Sequence, residues 1–157
     1  MAATLAEKTQ MLAKAGVIPA DAADWAASRL SGAQTALTRS QDGVLEGMCQ
    51  LWAQDRELRQ LDWQCEMQWL RSNGLVTGYS AAAPGLQMDV RQSLDAYRAY
   101  LGLDGLGDWQ EIETAAFSPD TAAVWSEEGQ IYLYCSVYGE NLTLGAVSLP
   151  REALPVA

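Results

Sequence analysis

The chain has 157 residues, 49% of them hydrophobic and 19% charged, with a net charge of −10 and no histidine. That length fits one domain with a sizeable core, and no stretch reaches the roughly 18 apolar residues of a membrane span. Without His the commonest general base and the usual zinc ligand are missing, and Cys49, Cys65 and Cys135 form neither a CxxC pair nor an even set. They are expected as reduced core thiols of a cytoplasmic protein that folds without metal or cofactor.

The opening "MAATLAEKTQMLAKAG" lacks the basic start and apolar run of a secretory signal. It predicts a short helix, with Thr4 as cap, Glu7 three residues on and Gly16 as stop. "VIPADAADWAASRLSG" restarts a helix after Pro19 and ends at Gly32. Leu5, Met11, Leu12, Val17, Ile18, Trp25 and Leu30 are the expected buried residues of this pair.

From Gln34 or Ser40 to Arg71 there is no proline, and Asn73–Gly74 supplies a stop. The expectation is one long helix. On a helical wheel Leu51, Leu58, Leu61, Cys65 and Trp69 form one apolar stripe, and Trp52, Trp63, Met67 and Leu70 form another about 160° away. Asp55, Arg59, Asp62 and Glu66 fall between them at spacings that suit surface ion pairs. A helix with two apolar faces has to be covered twice. Trp52, Trp63, Met67 and Leu70 are therefore the candidate homodimer interface.

"GLVTGYSAAAPGLQ" reads as a loop rich in Gly, Ser and Pro. "MDVRQSLDAYRAYLG" is a clear helix, capped by Asp89, supported by Gln92 and ended by Gly102. Its buried face carries Val90, Leu94, Tyr97 and Leu101. "GLDGLGDW" lacks the Lys and Ser/Thr of a phosphate-binding loop and carries Asp104 and Asp108, so it reads as a turn.

The remainder predicts an antiparallel meander of three to four strands. "IYLYCSVY" alternates, with Ile131, Leu133, Cys135 and Val137 on one face and Tyr132, Tyr134, Ser136 and Tyr138 on the other. "EEGQ" and "GEN" on either side are hairpin turns. "AAVWS" and "LTLGAVSL" are the neighbouring strands, and "WQEIETAAF" is a candidate fourth. The fold class is thus α+β in one domain: a helical half over 1–73, a loop over 74–88, an acidic helix-plus-meander half over 89–150, and a tail over 151–157.

Charge divides unevenly between the halves. Residues 1–73 hold nine acids and seven bases, and residues 74–157 hold eleven acids and three bases. Such a surface repels nucleic-acid phosphates and anionic lipid and attracts a basic protein. Tyrosine and tryptophan are favoured at binding surfaces because they bury large areas with few rotamers. Trp125, Glu127, Glu128, Tyr132, Tyr134, Tyr138 and Glu140 are accordingly the candidate partner-binding residues. The expected function is that of a small acidic interaction protein of the inhibitor, immunity, chaperone or adaptor type, with a basic protein as partner. Two alternatives stand beside it: a carboxylate enzyme or small-ligand binder using Glu111 and Glu113, and a structural homo-oligomer.

Overall fold

The computed structural model describes residues 2–30, 34–39, 44–54, 60–113 and 120–154, with side chains for 4–30, 65–113 and 120–154. Helices α1 (Ala2–Lys14) and α2 (Ala20–Leu30) come first. Four strands follow: β1 (Gln34–Arg39), β2 (Val44–Gln54), β3 (Gln60–Leu70) and β4 (Val76–Ala82). Helix α3 (Val90–Tyr100) leads into β5 (Trp109–Glu111), β6 (Thr121–Ser126), β7 (Ile131–Tyr138) and β8 (Asn141–Ser148). A short 3₁₀ turn at Arg151–Ala153 ends the described chain.

All eight strands join one antiparallel sheet in the order β1-β2-β3-β4-β8-β7-β6-β5. It consists of two four-stranded meanders, each preceded by a helix and joined through their last strands, β4 and β8. The α+β class stands, but the sheet has twice the strands expected. "VTGYSAA", read as loop, is β4, with Val76, Tyr79 and Ala81 buried at the helix side.

The larger correction concerns the long helix. Within residues 44–70 the chain forms β2 and β3, paired antiparallel from Val44↔Leu70 to Gln54↔Gln60. The cause is visible in "LDWQCEMQWL". Leu61, Trp63, Cys65, Met67 and Trp69 alternate with Asp62, Gln64, Glu66 and Gln68, a period of two over nine positions. Plotted at 100° per residue, positions two apart fall about 160° apart. One face of a strand therefore imitates two apolar stripes on a helical wheel.

Alternation also sets where the core lies. The helices cover one face of the sheet. There Leu5, Leu12, Ala23, Leu30, Leu94 and Tyr97 pack with Cys65, Met67, Trp69, Tyr79, Leu133, Cys135, Leu142 and Leu144. Burial pushes the Cys135 thiol up to about 12, which makes it an inert core group at neutral pH. Met11 is 48% exposed instead of buried, and Trp25 is half-buried under the Arg29 guanidinium. Helix α1 starts at Ala2, so Thr4 lies inside it, while Gly16 closes it at φ +79° as expected for a left-handed stop. Asp89 caps α3 by accepting from the backbone N–H groups of Arg91 and Gln92.

Helix α3 is hydrogen-bonded to the backbone of β4 at Val76. Register shifts between Gln68 and Trp69, so that Trp69 faces Val76 while Gln68 faces Gly78. Thr77 is thus the extra residue of a bulge. Beside it, Tyr97 Oη donates to the Val76 carbonyl at 2.8 Å, and the Val76 N–H donates to Tyr100 Oη at 2.8 Å. The two stacked tyrosines of α3 therefore satisfy both backbone groups of a fully buried residue.

Candidate binding face

The second face of the sheet carries the even-numbered residues of β7, and register extends it across neighbouring strands as parallel rows. One row runs Thr121–Ser136–Thr143–Ser80 across β6, β7, β8 and β4. Its hydroxyls pair at 2.9 Å (Thr121 and Ser136) and 3.3 Å (Ser80 and Thr143). The next row runs Ala123–Tyr134–Gly145–Gly78–Gln68. Two glycines side by side leave a gap, and long neighbours lie down over it. A Cβ on Gly145 would meet Tyr134 Oη at 2.7 Å, and one on Gly78 would meet Gln68 Oε1 at 2.9 Å. The third row pairs Trp125 with Tyr132 and Tyr132 with Val147.

Tyr132 and Tyr134 are half-buried, with ring centroids 5.8 Å apart. Burial raises the hydroxyl pKa of both. Tyr138 is 75% exposed and Val147 46%, and with Met11 they are the exposed large apolar side chains among the described residues. The tyrosines therefore lie neither under a helix nor wholly in water.

Trp125 shares this face but is covered. Its Nε1–H donates to the Leu149 carbonyl at 2.8 Å, and the Arg151 guanidinium sits 5.0 Å above its ring. Arg151 is held in turn by Glu127 at 2.8 Å. The segment read as a loose tail is thus a strap over one end of the face.

Most acids of the C-terminal half have structural work. Asp89 caps α3; Arg98 pairs with Asp95 and Asp104; Arg91 pairs with Glu111. Glu140 accepts from the Gly85 N–H at 3.2 Å. Asp108 accepts from the Glu128 N–H at 2.8 Å and the Ser126 hydroxyl at 2.7 Å. Those two bonds, the backbone one first, hold its carboxyl below the usual carboxylate range. Of the expected partner-binding set, Tyr132, Tyr134 and Tyr138 come together on the open face and Trp125 lies beneath the strap. Glu127, Glu128 and Glu140 belong to turns at the ends of β7. Glu111 and Glu113 are both exposed.

The proposed dimer set falls only partly within the described side chains. Met67 is 1% exposed in the helix-side core. Leu70 is half-buried and has the register of the open side. The side chains of Trp52, Trp63 and Asp62 lie outside the described residues, as do Asp55 and Arg59 altogether.

Charge is sorted between the two layers. Lys8, Lys14, Arg29, Arg91 and Arg98 all stand on the helices. Among the described side chains, strand positions on the open face hold Glu66 and no Lys or Arg. Arg39, within β1, has the register of the helix side. Sequence reading missed Gly78 and Ser80 because "VTGYSAA" shows no clean alternation to mark it as a strand, and Gln68 because its segment was read as helix; Thr143, Gly145 and Val147 lie on a strand that was expected, "LTLGAVSL", but were not assigned to this face.

Among the described residues no helix is long and apolar enough to cross a membrane, and no group of three or more His, Cys, Asp or Glu could hold a metal ion. Neither protein-family models, curated proteins nor solved structures return a match for the chain.

Proposed function

We propose that the chain is a non-catalytic, cytoplasmic protein-binding module of the inhibitor, immunity, chaperone or adaptor kind, and that its open sheet face receives the partner. One observation carries the reading. Three helices cover one side of the sheet, while the other presents tyrosines, a hydroxyl row and Val147 without an element packed over them among the described residues. Antiparallel sheets tolerate one solvated face, but a solvated face is ordinarily polar throughout. Exposed Tyr138 and Val147, with half-buried Tyr132 and Tyr134, match the aromatic, amphipathic make-up of a contact surface. The acidic balance disfavours phosphate backbones and anionic lipid as targets.

The test uses the three exposed large apolar side chains among the described residues. Wild-type protein, a Tyr138→Ser/Val147→Ser double variant and a Met11→Ser variant are immobilised and exposed to extract of the native host. Captured proteins are quantified by mass spectrometry. The expected result is one partner held by wild type and by Met11→Ser and lost by the double variant. Retention by the double variant, or loss with Met11→Ser alone, refutes the reading.

A further inference from the structure

We infer that the open face docks a cationic segment of a partner protein that is rich in arginine rather than lysine, its guanidinium groups lying over Tyr132, Tyr134 and Tyr138. The inference rests on the binding reading above and specifies the partner class.

The molecule already shows this mode in cis. Arg151 lies 5.0 Å over the ring of Trp125 on this same face, with Glu127 2.8 Å from its guanidinium. Arg29 over Trp25, at 4.0 Å, repeats the pairing elsewhere. Guanidinium is planar and weakly hydrated, so it stacks on aromatic faces at lower desolvation cost than ammonium does. Tyr132 is the cross-strand neighbour of Trp125 and continues the aromatic surface beyond the strap.

The polar groups fit the same ligand. A hydroxyl has one proton and two lone pairs, so Ser80–Thr143, after pairing internally, still keeps acceptor capacity. Asn141 and Glu66 add acceptors on the open side. Arginine brings five donors and no acceptor. An extended segment repeats its side chains on one face about every 6.7 Å. The 5.8 Å spacing of the Tyr132 and Tyr134 rings is close to that period. Long-range attraction points the same way, since among the described side chains the one charged group at a strand position on this face is Glu66, an acid.

The experiment measures binding of three fluorescein-labelled decapeptides by anisotropy at physiological ionic strength: alternating Arg–Ser, Lys–Ser and Gln–Ser. The Arg–Ser peptide is expected to bind more tightly than Lys–Ser, because guanidinium stacks on rings at lower desolvation cost, each ring contact at an exposed site being worth about threefold. Tyr132→Ser and Tyr138→Ser should each weaken the Arg–Ser peptide by about that factor. A Glu7→Gln/Asp21→Asn variant, which removes two charges from the helical layer, should leave it unchanged. If Tyr132→Ser lowers the melting temperature, Tyr138→Ser, at a 75% exposed position, decides alone. Equal binding of the Arg and Lys peptides overturns the inference. So does equal weakening by the helical-layer variant, which would mean simple attraction to the net charge. If no peptide binds while Tyr138→Ser/Val147→Ser still loses a captured partner, the arginine assignment falls and the docking face stands. If that partner is retained as well, both fall.

Discussion

Removing one buried hydroxyl tests how the helical layer is fixed to the sheet. Tyr97 and Val76 are both 0% exposed, and the Tyr97 hydroxyl donates to the Val76 carbonyl at 2.8 Å next to the bulge in the β3–β4 ladder. Tyr97→Phe keeps the ring and deletes the donor, leaving a buried carbonyl without that bond. Such a loss costs about 1–3 kcal/mol. For a chain of this size that is a fall in melting temperature of roughly 2–12 °C. Tyr100→Phe removes the acceptor of the Val76 N–H, but Tyr100 is only half-buried. Water can reach that group, so the cost should lie near the lower end of the same range, about 1 kcal/mol. The assay is urea unfolding followed by tryptophan fluorescence, with ΔΔG taken from the midpoint at constant m-value. A Tyr97→Phe protein within about 0.3 kcal/mol of wild type, well under the usual cost of an unmade buried bond, would refute the clamp. A larger effect from Tyr100→Phe than from Tyr97→Phe would do the same.

Three further outcomes follow from the geometry. Asp108, with its folded pKa depressed, contributes stability that is present above its ordinary value of 3.8 and lost as pH falls through the folded pKa; Asp108→Asn should flatten this acid limb of an equilibrium unfolding curve, and an unchanged limb would show that the β6–β7 turn does not depend on the carboxylate. Gly145→Ala puts a methyl group 2.7 Å from Tyr134 Oη, so the ring has to lift, at a cost of about 1–3 kcal/mol. With its burial reduced, the Tyr134 hydroxyl should titrate closer to the ordinary tyrosine value in an absorbance titration, and an unmoved titration means the ring does not lie over the glycine. Glu127→Gln frees Arg151 from its carboxylate partner and should speed tryptic cleavage after Arg151, read by intact-mass spectrometry; an equal cleavage rate would mean that the strap does not depend on this ion pair.

The C-terminal half was largely legible because its signals are local. "IYLYCSVY" alternates without a break, flanked by hairpin turns, and β7 spans that segment. Asp89 and Gly102 mark the ends of α3 by side-chain capping and by a φ of +73°. The N-terminal half was misread where two periods compete. Leu61 to Trp69 satisfies strand alternation, yet the absence of proline and the Asn73–Gly74 stop favour a helix. The two opposed polar and two opposed apolar faces were themselves the sign of a period of two. The open face was half visible, through Tyr132, Tyr134 and Tyr138. Its other half comes from β4, β8 and the pairing of Gly78 with Gly145, and a contact between residues so far apart in sequence leaves no local trace. The acids of the C-terminal half were legible only in part for a similar reason: Glu111, Glu127 and Glu140 look unpaired along the chain, but folding brings Arg91, Arg151 and the Gly85 N–H to them.

Hydroxyl-radical footprinting by mass spectrometry, on the free protein and on the complex captured from the native host, tests most directly whether the open sheet face is the binding surface. Tyr138, Val147 and Met11 are the exposed reporters, two on the sheet face and one on the helical layer. The expected result is protection of Tyr138 and Val147 in the complex with Met11 oxidised at its free rate. Protection of Met11 with Tyr138 and Val147 unchanged would contradict it and move the interface to the helices.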